Sequence, residues 1–72
     1  MDIKERIGKH IKDLRTNKGL TQEKLSYESD VDKTYISEVE NGKRNISVVN
    51  LEKLITTLGS TVKDFFNHED FE

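Results

Sequence analysis

The sequence contains no cysteine, no proline and no tryptophan, and only four of its 72 residues are glycine. The absence of cysteine excludes disulfides and thiolate metal sites. The scarcity of glycine and proline argues against a turn-rich β sandwich. No apolar run approaches the roughly 20 residues of a membrane span, and the first residues lack the apolar stretch of a signal peptide. We therefore expect one small cytoplasmic domain with no membrane contact.

The net charge of −2, from 12 basic and 14 acidic side chains, argues against a nucleic-acid partner when the chain is taken whole. The charges are unevenly distributed, however. Residues 1–20 carry six basic and three acidic side chains, residues 21–45 carry four and six, and residues 46–72 carry two and five. Because a protein field is local over about 8–10 Å at physiological salt, one face can attract phosphate while the rest repels it. Ordinary solvated helix faces are the alternative reading of this charge pattern.

Apolar residues recur at helical spacing, which predicts an all-α domain. The first helix has a stripe at spacings of four, four and three, formed by Ile3, Ile7, Ile11 and Leu14. Gly8 lies inside this helix, where glycine is less favourable than alanine by about 1 kcal/mol. It indicates either close packing against a neighbouring helix or a cost that the helix simply tolerates. Gly19 is expected to end it.

Four further helices are predicted from cap residues and apolar spacing. Thr21, Asp32, Ser47 and the pair Ser60-Thr61 suit N-cap positions, and Asn41-Gly42 and Gly59 suit helix ends. The fourth helix has the inward stripe Val48, Leu51, Ile55 and Leu58, and the fifth is a short helix that contains Val62, Phe65 and Phe66. The acidic tail, residues 67–72, is predicted to be frayed, with docking of Phe71 as the alternative.

Residues 21–40 have the pattern of a helix-turn-helix, with helices at 22–28 and 33–40 joined by a tight connection at 29–32. Ile36 and Val39 face the predicted core. The opposite side of the same helix, which we name the recognition face, carries Lys33, Thr34, Ser37 and Glu38. Its short polar side chains begin at the helix N-terminus, and a major groove about 12 Å wide admits such a helix.

Three stretches resemble the Cro/C1-type, or XRE-like, helix-turn-helix family: residues 20–25, 31–37 and 40–43. The resemblance runs from about residue 4 to residue 66 and implies the five-helix lambda-repressor-like fold. Within the family, residues 32–37, 42–47 and 50–54 are most similar to controller proteins of restriction–modification systems. Phage and mobile-element repressors share much of this pattern.

The resemblance implies roles for individual residues. The base-reading positions correspond to Lys33, Thr34, Tyr35, Ser37 and Glu38. The phosphate-contacting positions correspond to Thr21, Gln22, Asn41, Lys43, Arg44 and Asn45. A family ion pair between the first and third helices corresponds to Arg15 and Glu40. Tyr35 is equally compatible with a position partly in the core.

The sequence departs from the family pattern at several positions. Ser29-Asp30 replaces the usual alanine-glycine turn, and aspartate is expected to keep its left-handed conformation at some cost. Ser26 and Ile46 also replace common family residues. Glu38 is expected either to accept from cytosine N4 or to repel phosphate and lower non-specific affinity.

The apolar content of residues 46–66 exceeds what two short helices need for a thin core. We therefore expect a symmetric homodimer through a region at about 48–66, with Leu54, Leu58, Val62, Phe65 and Phe66 at the interface. A two-fold dimer presents two recognition helices about 34 Å apart and reads a pseudo-palindrome.

An enzyme is not expected, because there is no phosphate-binding glycine loop and no cysteine nucleophile. His10 and His68 are far apart in sequence without a metal-ligand spacing, so no metal or other cofactor is predicted, and His10 is expected at the surface or packed at an edge. No small-molecule ligand is implied. The prediction is a dimeric regulator of double-stranded operator DNA, a controller of its own operon. A phage-type repressor or antitoxin of the same fold, or an adaptor that uses the fold without DNA, are the alternatives.

Overall fold

The computed structural model covers residues 1–72 and consists of five α-helices and one 3-10 turn. The helices are α1 (Ile3–Asn17), α2 (Gln22–Ser29), α3 (Lys33–Glu40), α4 (Val48–Thr57) and α5 (Val62–Phe66), and the 3-10 turn covers Glu69–Phe71. The predicted all-α class is confirmed. None of these helices combines the length and apolar character needed to cross a bilayer.

Side-chain caps explain where the helices begin. At each of the four predicted N-caps a side chain accepts a hydrogen bond of 3.0–3.2 Å from the backbone N–H three residues later: Thr21, Asp32, Ser47 and, from the pair Ser60-Thr61, Thr61. Such a bond satisfies one of the N–H groups that a helix N-terminus leaves without a partner. α1 also begins with a capping box between Asp2 and Glu5, which was not predicted.

The core is a single cluster of eleven buried apolar side chains from all five helices and the turn before α3: Ile7, Ile11, Leu25, Val31, Ile36, Val39, Leu51, Leu54, Ile55, Leu58 and Phe65. Two stripe residues predicted to face inward do not. Ile3 is 47% exposed and Val48 is 81% exposed. Each is the first residue of its helix, and because side chains tilt towards the helix N-terminus they project beyond the packed turns.

α1 and α3 cross at Gly8, which is buried. A methyl group added at residue 8 would overlap the backbone carbonyl oxygen of Val39. The glycine therefore permits close packing of the two helices, the first of the two predicted interpretations. This crossing fixes how α3 is held against the rest of the domain.

The connection between α2 and α3 contains the only non-glycine residue with a positive φ, Asp30, at φ 58° and ψ 34°. The left-handed conformation expected of Asp30 is thus present. It directs the chain from the end of α2 into Val31, which is buried, and into the Asp32 cap of α3. The turn therefore sets the angle at which α3 leaves α2.

Replacement of Asp30 by glycine is expected to stabilise the domain by about 0.5–1 kcal/mol, because glycine adopts positive φ without the steric cost of a Cβ. Thermal denaturation measures this as a rise of a few degrees in Tm. Asp30→Ala is the matched variant and is expected to lower Tm. If the two variants shifted Tm equally, backbone strain at residue 30 would not be the cause.

The C-terminal tail folds back on α1 instead of fraying. Phe71 packs against the core, with its ring centroid 4.9 Å from that of Phe66 and 5.6 Å from that of Phe65. The docked alternative is the one found, because an apolar ring at the chain end completes an aromatic cluster.

His10 is buried on α1 beneath this tail, contrary to the expected surface or edge position. Its ring lies 4.6 Å from Phe65 and 4.2 Å from His68, measured between centroids. Burial, and then the neighbouring His68, lower the pKa of His10. The long sequence separation of the two histidines therefore does not keep them apart, which was the basis for excluding a metal site.

Candidate nucleic-acid interface

The recognition face lies on the outer side of α3. Ile36 and Val39 are buried beneath it. Lys33 and Thr34 are exposed at the first turn, and Ser37 and Glu38 are half-buried one turn later. Since α3 begins at Lys33, the two exposed side chains stand at the end of the helix that leads into a groove in this kind of motif.

The N-terminus of α2 lies beside this face. Thr21, Gln22 and Lys33 line one open depression together with Arg15 and Glu23. The Gln22 side-chain amide donates to Glu40 Oε1 at 3.0 Å, which fixes its orientation. Its carbonyl oxygen makes no hydrogen bond within the chain, and one amide proton remains for another acceptor. The structure thus brings two predicted phosphate-contacting residues, Thr21 and Gln22, next to one predicted base-reading residue, Lys33.

Arg15 and Glu40 join α1 to the end of α3. Arg15 Nε donates to Glu40 Oε2 at 2.7 Å and Nη2 donates to Oε1 at 3.0 Å, while Nη1 donates to the Leu20 carbonyl oxygen at 2.7 Å. The side chains are only 11% and 2% exposed. Hydrogen bonding to Glu40 raises the pKa of Arg15. This bidentate pair holds the C-terminal end of α3, and with it the angle of the recognition face.

The loop after α3 is docked through Tyr35. The Tyr35 hydroxyl accepts from the Ser47 N–H at 3.1 Å, and the Arg44 guanidinium lies 4.7 Å from the Tyr35 ring centroid. Burial alone would raise the pKa of Tyr35, but hydrogen bonds from Asn50 and Ser47 and the Arg44 charge lower it. Tyr35 therefore packs partly on the core and also supports the loop at residues 43–45, which carries Lys43 and Arg44 and which we name the basic loop.

Two cations of the candidate interface are paired with acidic side chains of the same surface. Arg44 Nη1 lies 2.8 Å from Glu38 Oε1, and Lys33 Nζ lies 3.4 Å from Glu23 Oε1. Exposed pairs of this kind contribute about 0–1 kcal/mol, so a phosphate or a base can replace the carboxylate at little cost. Sequence reasoning missed the role of Glu23, because its pairing with Lys33 depends on the angle between α2 and α3. Asn41, Lys43 and Asn45 are exposed.

The predicted dimerisation residues need a correction. Leu54, Leu58 and Phe65 are 0%, 5% and 0% exposed within a single chain. They belong to the chain's own core and have no surface left for a second subunit, because α4 and α5 turn these side chains inward. Of the predicted set, Val62 is 46% exposed and Phe66 is half-buried.

The fold and this surface define a helix-turn-helix domain, and comparisons with known proteins agree. The family described as helix-turn-helix matches residues 11–65. The control protein C.MunI from Mycoplasma sp. is 49% identical over 67 residues, which cover 92% of this chain and 90% of that protein.

Two crystal structures of restriction–modification controller proteins are also similar. C.AhdI from Aeromonas hydrophila has a TM-score of 0.83 and 41% identity, covering 88% of this chain and 96% of that one. C.Esp1396I, solved as a tetramer in complex with its natural 35 base-pair operator, has a TM-score of 0.86 and 36% identity, covering 93% and 88%. The chain belongs to the helix-turn-helix family and, within it, to the restriction–modification controller proteins.

Proposed function

We propose that this protein is a sequence-specific transcription regulator that binds a pseudo-palindromic DNA operator as a homodimer and controls its own restriction–modification operon. The observation that carries the proposal is the recognition face, polar and exposed at the N-terminus of α3 and flanked by the cap of α2 and the basic loop. The operator complex of the relative C.Esp1396I supports it. The role requires no chemical step at this surface, and it places the protein with the DNA in the bacterial cytoplasm.

Base reading is assigned to the recognition face. With α3 in the major groove, Lys33 can donate to guanine O6 and N7, and the Thr34 methyl can pack on a thymine methyl. Ser37 follows one turn later and reaches a neighbouring base edge. Tyr35 and Glu38 border this row, one beneath the loop and one paired with Arg44.

Phosphate contacts are assigned to residues on both sides of that groove. At the α2 end, the free N–H groups of the helix N-terminus favour an anion. At the other end, the exposed loop after α3 offers two cations and amide groups. The assigned residues are Thr21, Gln22, Asn41, Lys43, Arg44 and Asn45.

Exchange of ion pairs accompanies binding in this account. Arg44 leaves Glu38, and Lys33 leaves Glu23, when each cation meets DNA. The released carboxylates remain close to the duplex and repel its phosphates. On the operator, correct base contacts offset this repulsion, whereas on other sequences nothing does. Glu23 and Glu38 are therefore expected to lower affinity for non-specific DNA more than affinity for the operator.

The second subunit is expected to cover the apolar surface that α4 and α5 leave outside the core. Val48, Val49 and Val62 are exposed by 81%, 62% and 46%, and Phe66 is half-buried nearby in the sequence of α5. Because the small core leaves these apolar side chains exposed, their burial between two subunits would favour association. The dimer then places two recognition helices about one DNA turn apart.

Arg44→Ala is expected to weaken binding to every duplex by about tenfold and to reduce the slope of log K against log salt by about one. The physical reason is the loss of the phosphate contact that Arg44 makes once it has left Glu38. Fluorescence anisotropy at several salt concentrations, with a specific and a scrambled duplex, measures both effects.

Two variants make this result interpretable. Lys53→Ala removes an exposed cation of α4 outside the assigned surface and should leave the slope nearly unchanged. Lys33→Ala should relax base preference at defined operator positions, with a penalty of about 1–3 kcal/mol confined to the specific duplex. Intact binding of Arg44→Ala to all duplexes would show that the assigned docking is wrong.

A further inference from the structure

The tail and α1 bring together three side chains that can ligate a metal ion. His10, His68 and Asp70 each offer one ligand atom, and these atoms all lie within 4.8 Å of one another. We name these three residues the histidine cluster. None of them belongs to the DNA-binding surface assigned above, so the cluster calls for a separate explanation.

We propose that the histidine cluster binds a divalent transition-metal ion of the zinc class through two imidazole nitrogens and one carboxylate oxygen. Three protein ligands with a fourth position for water is a common coordination of Zn²⁺. Imidazole and carboxylate together select such ions over Mg²⁺, which prefers an all-oxygen octahedral set.

The second histidine is already oriented by its neighbours. His68 Nδ1 accepts a hydrogen bond from the Asp70 N–H at 3.1 Å and lies 3.5 Å from Asp70 Oδ2. Because Nδ1 accepts, the proton of the neutral imidazole is on Nε2, and Nδ1 is the nitrogen whose lone pair can ligate a metal in place of this hydrogen bond. Ligand atoms in a tetrahedral zinc site are about 3.3 Å apart, so the cluster must close by about 1.5 Å. A terminal 3-10 turn can supply that movement.

The first histidine provides an independent observation. His10 is only 7% exposed, and its Nδ1 is buried without any hydrogen-bond partner. A buried polar atom that lacks a partner is unfavourable and uncommon in a folded chain. Phenylalanine would fill the same space beside Phe65 and Phe71 without that cost. A ligand role explains why an imidazole occupies this aromatic cluster, which also gives the ion an apolar surrounding.

The charges around the cluster allow the Asp70 carboxylate to leave Lys9 and ligate a metal ion. Asp70 Oδ2 lies 3.4 Å from Lys9 Nζ, and the same amine lies 3.2 Å from Asp13 Oδ2. Lys9 therefore keeps a partner when Asp70 turns to an ion. Glu69 and Glu72 add negative charge on the same tail. Binding would pin residues 68–70 to α1 and stabilise the whole domain.

The experiment uses the full chain without a polyhistidine tag, since a tag would bind zinc itself. Calorimetric titration with Zn²⁺ is expected to give one ion per chain. Zinc at roughly ten times its Kd is expected to raise Tm by about 6–11 °C, whereas Mg²⁺ is not. Co²⁺ should give the strong visible absorption of a tetrahedral site.

His68→Gln and Asp70→Asn should each weaken zinc binding at least tenfold and abolish the rise in Tm. Both positions lie on the terminal turn, so the helical core should remain folded, which circular dichroism verifies. Glu69→Gln is the matched control and should bind zinc as the parent does. An unchanged Tm with zinc, or zinc binding that His68→Gln leaves intact, would overturn the proposal.

Discussion

Gly8→Ala is expected to lower the free energy of unfolding by about 3 kcal/mol. In an exposed helix the same change would stabilise by about 1 kcal/mol, because alanine is the better helix former. Here the new methyl group meets the Val39 carbonyl oxygen, a backbone atom that cannot rotate away. The crossing is then overpacked, so α1 and α3 must move apart, and the core between them packs less tightly. A loss of stability in Gly8→Ala therefore indicates that Gly8 permits close helix packing, whereas a gain indicates that the helix merely tolerates glycine there.

Urea denaturation of Gly8→Ala, followed by circular dichroism, measures this loss. Lys12→Ala is the control on the same helix, since Lys12 is exposed and its replacement should change stability by less than about 0.5 kcal/mol. Because α3 is held through this crossing, Gly8→Ala should also weaken DNA binding at temperatures where the chain is still folded. A gain in stability would show that the two helices do not meet at residue 8.

Glu40→Ala is expected to cost roughly 3–5 kcal/mol, the usual penalty when one partner of a buried ion pair is removed. The change leaves Arg15 Nε and Nη2 and the Gln22 amide without their acceptor. The Arg15 side chain is only 11% exposed, so water replaces the carboxylate poorly. Thermal or urea denaturation measures the loss.

A double-mutant cycle makes this prediction specific. Arg15→Ala combined with Glu40→Ala should cost less than the sum of the single changes, because the double variant leaves no buried charge unpaired. Glu28→Ala removes a partly exposed carboxylate of α2 and should have little effect. If Glu40→Ala cost no more than Glu28→Ala, the pair would not hold α3 in place.

Much of the fold was predictable because its signals are local. A cap such as Thr21 or Asp32 acts within three residues, and a stop such as Asn41-Gly42 within one turn. The outward side of α3 follows from the inward Ile36 and Val39. The left-handed Asp30 follows instead from the resemblance to a family that usually has glycine at this turn, because aspartate tolerates positive φ better than most other residues.

Other features depend on packing between segments that are distant in sequence. The spacing of apolar residues predicts that Leu54 and Phe65 are buried. It does not indicate whether the chain itself or a second subunit covers them. The meeting of His10 with His68 depends on how the tail folds back. The pairing of Lys33 with Glu23 depends on the angle between α2 and α3, and no local sequence pattern specifies that angle.

Selection from a random duplex pool, followed by sequencing, is the most direct test of the proposed function. The account predicts an enriched pseudo-palindrome whose half-sites are centred about 10 base pairs apart, one helical turn of DNA. The same selection with Lys33→Ala should lose preference at symmetric positions in both half-sites. Absence of any enriched sequence, or enrichment of a single asymmetric site, would contradict a dimeric operator-binding regulator.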